Sequence, residues 1–355
     1  GSTGTVWAYN LGGIYAPIRD IKFRVNYSKA VRAPTLSDLY SSPTQNFAQL
    51  NDPCDVNFIN TGRPNRVANC AAAGVPTGFV NNAARGGSTE ILSGGNPNLE
   101  AERSRSWTYG VIVQPSFLPG LAITADYYDI KISNVIASVD AQTILDACYD
   151  AASLENQFCG LINPRQANGE FAPTALLQST VNFAALQARG IDMDIAYNHS
   201  FDADNRLALR AVGTWVRTRD DYPYLDNPEQ RERIKGELGD PIWNINLSAD
   251  YTHKNVTLGY QLRYIGRQSI TDWEAQHDTY GAPALDPNYA DVVYYPRVFY
   301  HAIRASAEVN DQFRLYGGID NLTDKRPPYG LLGNGEDAIY DNVGRFMYVG
   351  VSVKM

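Results

Sequence analysis

Apolar and polar residues alternate along most of this chain, in segments of about ten residues. In the segment 243–251 every odd position is apolar and every even position is polar, and the same pattern resumes at 256–264 after the turn HKN. This period of two is typical of β-strands whose two faces meet different surroundings. It predicts about eleven strands, near 5–17, 20–32, 101–115, 120–134, 182–200, 205–218, 241–253, 255–268, 297–309, 312–321 and 343–355.

One of these segments is less regular than the others. In 120–134 the apolar positions change parity at the pair Tyr127 and Tyr128. An extra residue in one strand of a pair produces such a change. The sequence therefore predicts a β-bulge near these two tyrosines.

The connections between the predicted strands alternate strictly between short and long. Five are tight turns, and five are long: about 33–100, 135–181, 219–240, 269–296 and 322–342. Transmembrane β-barrels place short turns at one end and long loops at the other. Several segments also have the 9–11 residues that cross a bilayer at a tilt. We therefore predict an all-β transmembrane antiparallel barrel spanning 1–355, with a soluble β-sandwich or propeller as the alternative.

Composition narrows the functional classes. The net charge is −8, which argues against a nucleic-acid partner. No window approaches 18 apolar residues, so no transmembrane helix is expected. Neither G-x-S-x-G, H-E-x-x-H nor a phosphate-binding loop occurs, so we predict neither enzymatic activity nor a cofactor. The four histidines are scattered and there is no C-x-x-C, so no metal site is expected either.

Five stretches, in this order, resemble motifs of the TonB-dependent outer-membrane receptors. The first is a tyrosine-ended strand that runs into an R-A-P-T turn, and the second resembles the family's N-P-x-L-x-x-E segment. The fourth resembles the N-L-x-D-K motif, and the last resembles the final strand, although it ends in Met355 where bacterial barrels usually end in Phe or Trp. The stretches are YSKAVRAPTLSDLY, GGNPNLEAERSRSWTYGV, PGLAITADYYDIKISNVI, GGIDNLTDKRPP and YDNVGRFMYVGVSVKM.

This resemblance implies a 22-stranded barrel in the bacterial outer membrane, filled by an N-terminal plug domain. About eleven strands that end at strand 22 would be strands 12–22, so we expect the plug and the TonB-contacting segment to lie outside this chain, in a partner segment. The implied function is active uptake of a scarce, bulky solute. A ferric siderophore is the first expectation, with haem, cobalamin or an oligosaccharide as alternatives. A passive porin and a soluble β-rich binding module are the alternatives outside the family.

The cysteines lie in the two longest predicted loops. Four cysteines allow three pairings, of which Cys54–Cys70 with Cys148–Cys159 is the most economical because each bond closes one loop. An oxidising cell surface would favour both bonds, and the alternative is that one pair stays reduced. The spacing of Ile144, Leu145, Cys148 and Ala152 also predicts a short helix in the second loop.

Aromatic residues in the loops are candidates for ligand contact, because their faces suit sugar rings and aromatic siderophores. The alternative for each is packing within a loop or a place in the aromatic girdle. Arg32 has the parity of the polar face and is expected to contact the plug, with a salt bridge at the rim as the alternative. The aromatic candidates are Tyr222, Tyr224, Trp273, Tyr280, Tyr289, Tyr294 and Tyr295.

Acidic residues accompany these aromatics. Asp220, Asp221, Asp226 and Glu229 have the oxygen ligands that Ca²⁺ prefers. A solvated acidic loop is the interpretation that we favour for them.

Overall fold

Alternating strands dominate the computed structural model, which describes residues 5–222, 231–277, 284, 286–288, 294–328 and 339–354. No helix in this part of the chain is both long enough and apolar enough to cross a membrane. The strands are β1 (Tyr9–Ile18), β2 (Ile21–Arg32), β3 (Thr44–Ala48), β4 (Thr89–Gly94), β5 (Glu102–Val113), β6 (Leu121–Ser138), β7 (Leu177–Ser200), β8 (Asn205–Tyr222), β9 (Glu232–Arg233), β10 (Trp243–His253), β11 (Val256–Ile265), β12 (Gln268–Ser269), β13 (Tyr294–Tyr295), β14 (Val298–Glu308), β15 (Phe313–Asp320) and β16 (Phe346–Val353). The helices are α1 (Leu36–Tyr40), α2 (Arg66–Ala72), α3 (Asn82–Gly86), α4 (Ala141–Asp150) and α5 (Trp273–Gln276), with a 3₁₀ turn at Cys159–Leu161.

Eleven of these strands lie side by side in one antiparallel sheet, in the order β1-β2-β5-β6-β7-β8-β10-β11-β14-β15-β16. These are the eleven strands that the alternation predicts. Because consecutive strands run in opposite directions, all the tight turns fall at one end of the sheet and all the long connections at the other. We call these the turn end and the loop end. Strands β1 and β16 form the two edges of the sheet.

The register brings residues of like character together on each face. Ala249 pairs with Leu209 on β8 and with Tyr260 on β11, and Tyr260 pairs in turn with Ile303 on β14. The next position, Ser248, belongs to the other face. The sheet therefore has an apolar face and a polar face, as expected of strands with a period of two.

The predicted bulge at Tyr127 and Tyr128 is wrong. Strand β6 keeps one continuous register past Tyr128 with both neighbours, from Leu121 with β7 and from Ile123 with β5. Tyr128 lies on the polar face over Gly190, where an added Cβ would come 2.4 Å from the tyrosine hydroxyl. The missing side chain at Gly190 thus gives an aromatic ring a place on the polar face. The irregularity in register lies one strand further, between β7 and β8 at Arg189 and Gly190.

The two longest connections fold together into one unit at the loop end, which we call the cap (residues 36–99 and 139–176). Disulfides Cys54–Cys70 and Cys148–Cys159 are both present, as predicted. Strand β4 pairs with β3 and, in parallel, with the beginning of β7. The cap has a hydrophobic core of its own, whose buried members include Leu50, Val75, Phe79, Ile91, Val139, Ile144, Leu145, Phe158, Phe171 and Leu176.

The predicted helix in the second connection is confirmed as α4. Asp140 caps it, because its side chain accepts a hydrogen bond from the backbone N–H of Thr143 at 2.9 Å. Ile144 and Leu145 are fully buried on its inner face. The helix ends at Asp150, so Ala152 lies beyond it.

Candidate functional site

Ion pairs cross the polar face over glycines. Arg304 on β14 and Asp250 on β10 flank Gly259 on β11, and the guanidinium Nη2 lies 2.7 Å from the carboxylate Oδ2 above it. The same arrangement joins Arg24 to Asp126. A Cβ at Gly259 would lie 2.4 Å from the Asp250 Oδ1, so the glycine is what makes room for the pair.

The polar face also forms a groove towards the loop end. Its volume is about 470 Å³, and both charges and neutral hydrogen-bonding groups line it. The lining polar residues include Arg210, Asn246, Gln261, Arg263 and Asp320. Such a mixture suits a polar or charged occupant, whether a ligand or a folded polypeptide.

Arg32 lies at the loop end of β2. Its Nε and Nη2 bind the two carboxylate oxygens of Glu102 at 2.6 and 2.5 Å, and Nη2 also donates to the backbone carbonyl of Ile136 at 3.0 Å. The salt bridge that was the alternative for this residue is therefore present. Half of the Arg32 side chain stays exposed, so its contact with a plug remains a prediction.

Charged residues hold the cap together from inside. Asp52 is fully buried, and its carboxylate accepts hydrogen bonds from both terminal nitrogens of Arg165, with Nη2–Oδ1 at 2.6 Å and Nη1–Oδ2 at 2.7 Å. Arg165 also donates to the hydroxyl of Tyr149 and to the carbonyl of Gly169. The hydrogen bonds that satisfy this buried pair make the cap a rigid support at the loop end.

Asp55 belongs to the same network of the cap. Burial alone would raise its pKa, but the Arg85 guanidinium and the backbone N–H groups of Asn57 and Asn81 bind its carboxylate. The net effect is a pKa below the ordinary value. The carboxylate is therefore charged and fully used within the cap.

The remaining described loops interlock in a second unit at the loop end, the loop cluster (residues 231–240, 266–277, 294–300 and 339–341). Gln268 is its buried centre: it accepts from the Gly239 N–H at 2.7 Å and donates to the Tyr340 hydroxyl at 2.5 Å. The backbone N–H of Ser269 donates to the Gly236 carbonyl at 2.7 Å.

Trp273 belongs to this cluster, and its ring already has neighbours there. His277 stacks on the indole at 3.6 Å between ring centroids, and the Arg233 guanidinium carbon lies 3.8 Å from the centroid. The stacked cation is a stabilising contact within the loop. The packing role that was the alternative for Trp273 is thus present in the structure.

The other aromatic candidates divide into two groups. Tyr294 carries the guanidinium of Arg267 at 4.3 Å, and Tyr295 packs against the apolar residues of the cluster. Tyr222, at the end of β8, donates its hydroxyl to Gln187 at 3.2 Å. The structure thus brings Trp273, Tyr294 and Tyr295 into one cluster. Tyr224, Tyr280 and Tyr289 lie outside the described residues.

Half-buried acids face one another in the loop cluster. The Glu237 carboxylate accepts from the backbone N–H of Trp273 at 2.9 Å, and that of Glu274 accepts from the N–H of Arg233 at 3.0 Å. Burial raises the pKa of Glu237 to about 7, with Asp272 and Glu274 adding repulsion. Burial likewise raises the pKa of Glu274.

The four acids considered for calcium binding differ in where they lie. Asp220 is buried and its Oδ2 lies 3.0 Å from Arg231 Nη1, so it is not part of a solvated loop as we expected. Asp221 is half-buried on β8, where it pairs with Glu232 of β9 in the register. Asp226 and Glu229 lie outside the described residues. Within the described ranges, no group of three or more His, Cys, Asp or Glu side chains is placed to hold a metal ion.

Sequence reasoning missed the cap core and its buried arginines. Asp52 and Arg165 are 113 positions apart, and neither shows a periodic pattern. The one usable signal was local. The side chains of Asp52 and Asp55 accept hydrogen bonds from the backbone N–H groups two residues later, as aspartates in turns do.

Comparison with known proteins relates this chain to a family of receptor barrels. The β-barrel profile of the TonB-dependent receptor-like family matches residues 1–322. A ferric enterobactin receptor mutant from Pseudomonas aeruginosa is similar in structure, with a TM-score of 0.56 and 15% identity over 98% of this chain and 39% of that chain. The siderophore receptor PirA from Acinetobacter baumannii has a TM-score of 0.59 and 14% identity over 99% of this chain and 41% of that chain. The comparison with curated proteins gives no match.

Proposed function

The chain belongs to the TonB-dependent receptor β-barrel family, and from that premise we propose that it forms part of an outer-membrane importer. The importer takes up a scarce, bulky solute by transport coupled to TonB. The chain spans about two fifths of the length of the receptors it resembles in structure, so the rest of such a receptor would supply the plug and the TonB-contacting segment. In this proposal the eleven strands are strands 12–22 of a 22-stranded barrel.

The single observation that carries the proposal is the two-faced sheet with every long loop at one end. In a barrel of this kind the apolar face meets outer-membrane lipid and the polar face lines the lumen. The loop end then faces the outside of the cell, and the turn end faces the periplasm. The cap and the loop cluster would form the outer vestibule.

The polar face suits a folded plug. Its ion pairs hold charges in fixed places, and its groove offers donors and acceptors together. We propose that Arg32, half exposed beside Glu102, contacts the plug at the outer rim. If it does, Arg32→Ala weakens plug docking and lowers uptake. Unchanged uptake and unchanged plug stability would contradict this role.

For the substrate we propose a ferric siderophore, because both described structural neighbours are siderophore receptors by name. The substrate would pass the aromatic candidates of the outer loops. The proposed contacts are Tyr222, Tyr224, Trp273, Tyr280, Tyr289, Tyr294 and Tyr295. The family consists of receptors and transporters, so we expect no catalytic activity.

Growth on single nutrient sources tests this function. A deletion strain is supplied in turn with a ferric siderophore, haem, cobalamin or an oligosaccharide, and the complete gene restores growth on the true substrate alone. Radiolabelled uptake should stop when the proton gradient that drives TonB is collapsed. Uptake that continues without that gradient would identify a passive pore instead.

A further inference from the structure

Four cations form one patch on the apolar face of the sheet near the loop end. Lys29 on β2, Arg105 on β5 and Lys131 on β6 stand directly opposite one another in the register. Arg103 follows Arg105 on the same face, one pleat closer to the loops. We call these four residues the basic patch. Both arginines and Lys131 are exposed, and Lys29 is half-buried.

No member of the patch has an acidic partner among the described residues. Each nearby acid is engaged elsewhere: Asp129, on the same face, pairs with Arg189 at 2.9 Å, and Glu102 pairs with Arg32 on the opposite face. Like charges directly opposite in adjacent strands repel one another. In a chain with a net charge of −8, three unneutralised cations in one row indicate an external anion.

A row of aromatic rings fixes the depth of the patch: Tyr27 and Trp107 lie one pleat below it, and Tyr9 lies beside it, opposite Lys29 in the register. Tyr9, Tyr27 and Trp107 form a chain with centroid separations of 6.0 and 4.6 Å, and Tyr109 stacks on Trp107 at 5.8 Å. Trp107 and Tyr109 are 41% and 48% exposed, as expected of rings that meet lipid. Aromatic girdles of barrels sit at the level of the lipid headgroups. The patch lies two residues above Tyr27 and Trp107, about 7 Å along the strand.

We propose that the basic patch binds the phosphate groups of an anionic lipid in the outer leaflet. Lys29, Arg105 and Lys131 would hold one phosphorylated headgroup, while the aromatic row packs on its acyl chains. Arg and Lys are the residues that bind phosphate as a fork and as a point charge. This inference rests on the proposed function, since it needs the apolar face to meet the outer leaflet.

Lipid binding by the complete receptor in detergent tests the proposal. The probe is diphosphoryl lipid A, compared with its dephosphorylated form and with inorganic phosphate. We expect the triple variant Lys29→Gln, Arg105→Gln, Lys131→Gln to bind the diphosphoryl form at least about tenfold more weakly than the unchanged receptor. The matched control removes three charges at the turn end, through Arg19→Gln, Lys22→Gln and Lys254→Gln, and should bind within about twofold of the unchanged receptor.

Each other outcome has a definite meaning. Equal weakening in both triple variants would show a general effect of net charge and overturn the site. Equal binding of inorganic phosphate would assign the patch to a free anion and overturn the lipid. If the triple variant does not fold, Lys131→Gln alone must still weaken binding, since Lys131 is exposed. Localisation is scored separately: a receptor found outside the outer membrane refutes the proposed function, whereas the binding assay judges the patch alone.

Discussion

Replacing Arg165 by Met should loosen the cap while leaving the sheet intact. The substitution keeps an unbranched stem as long as that of arginine up to Nε, removes the guanidinium and leaves the Asp52 carboxylate buried, with only the Cys54 N–H and the Asn81 amide as donors. The two side chains of the pair are 3% and 0% exposed, so the carboxylate lies out of reach of bulk water. Removing one partner of a buried ion pair costs about 3–5 kcal/mol.

The assay is hydrogen exchange of the complete receptor, followed by mass spectrometry of peptides from the cap and from the sheet. A loss of about 3–5 kcal/mol predicts exchange that is roughly 100- to 5,000-fold faster in β4 and α4, with β10 unchanged. The matched control is Arg210→Met, which breaks a pair with Asp194 whose side chains are 61% and 42% exposed. Exposed pairs contribute about 0–1 kcal/mol, so this variant should change little.

A second variant separates the buried charge from the lost packing. In Asp52→Asn with Arg165→Met the buried site carries no charge, so part of the cap's protection should return. If Arg165→Met accelerates exchange no more than Arg210→Met does, the cap does not depend on this pair and the reasoning fails.

Three further predictions follow from local geometry. Gly259→Ala places a Cβ 2.4 Å from the Asp250 carboxylate and should lower the thermal unfolding temperature of the barrel, whereas Gly13→Ala, with no atom within 4 Å of its Cβ, should not; equal effects would contradict the need for space. Cys148→Ser removes the disulfide that closes the second loop, which contributes about 3 kcal/mol to stability. Under oxidising conditions this variant should speed proteolysis of the cap, and reductant should have no further effect through this bond. Glu237, with its pKa raised from 4.5 to about 7, stabilises the folded loop cluster less as pH rises through that range; Glu237→Gln should flatten the pH dependence of hydrogen exchange in 266–277, and an unchanged profile would contradict it.

The sheet could be predicted from sequence because its signal is local. Each long strand repeats the same alternation over eight or more residues, so the parity of Leu247 or Val256 is readable from its immediate neighbours. The parity of Met347 and Val349 on β16 can be read in the same way, and the tight turns mark where neighbouring strands end. Even the failed prediction at Tyr128 had a local cause: the parity change was real, but Gly190 on the adjacent strand accommodates it.

The loop structures could not be predicted in this way, since their contacts join distant parts of the chain. Ile91 and Ile144 are both fully buried in the cap core, yet they come from different connections. The sequence does not show that the rings of Trp273 and Tyr294 have stacking partners, because the arginines that stack on them come from other turns of the loop cluster. Strand β3 has five residues, too few for alternation to mark it.

Each disulfide of the cap joins residues of a single connection, 16 and 11 positions apart. Neither bond links one connection to the other, although the core they stabilise is shared. Both bonds can therefore close on a chain whose strands have not yet paired, whereas the shared core must wait until the β5–β6 hairpin brings the two connections together. In a receptor oxidised during its passage to the membrane, the covalent steps would come first and the burial of Ile91 and Ile144 in the shared core last. A folded cap would then indicate that the strands have paired correctly, since only a correctly paired barrel lets the shared core of the cap form.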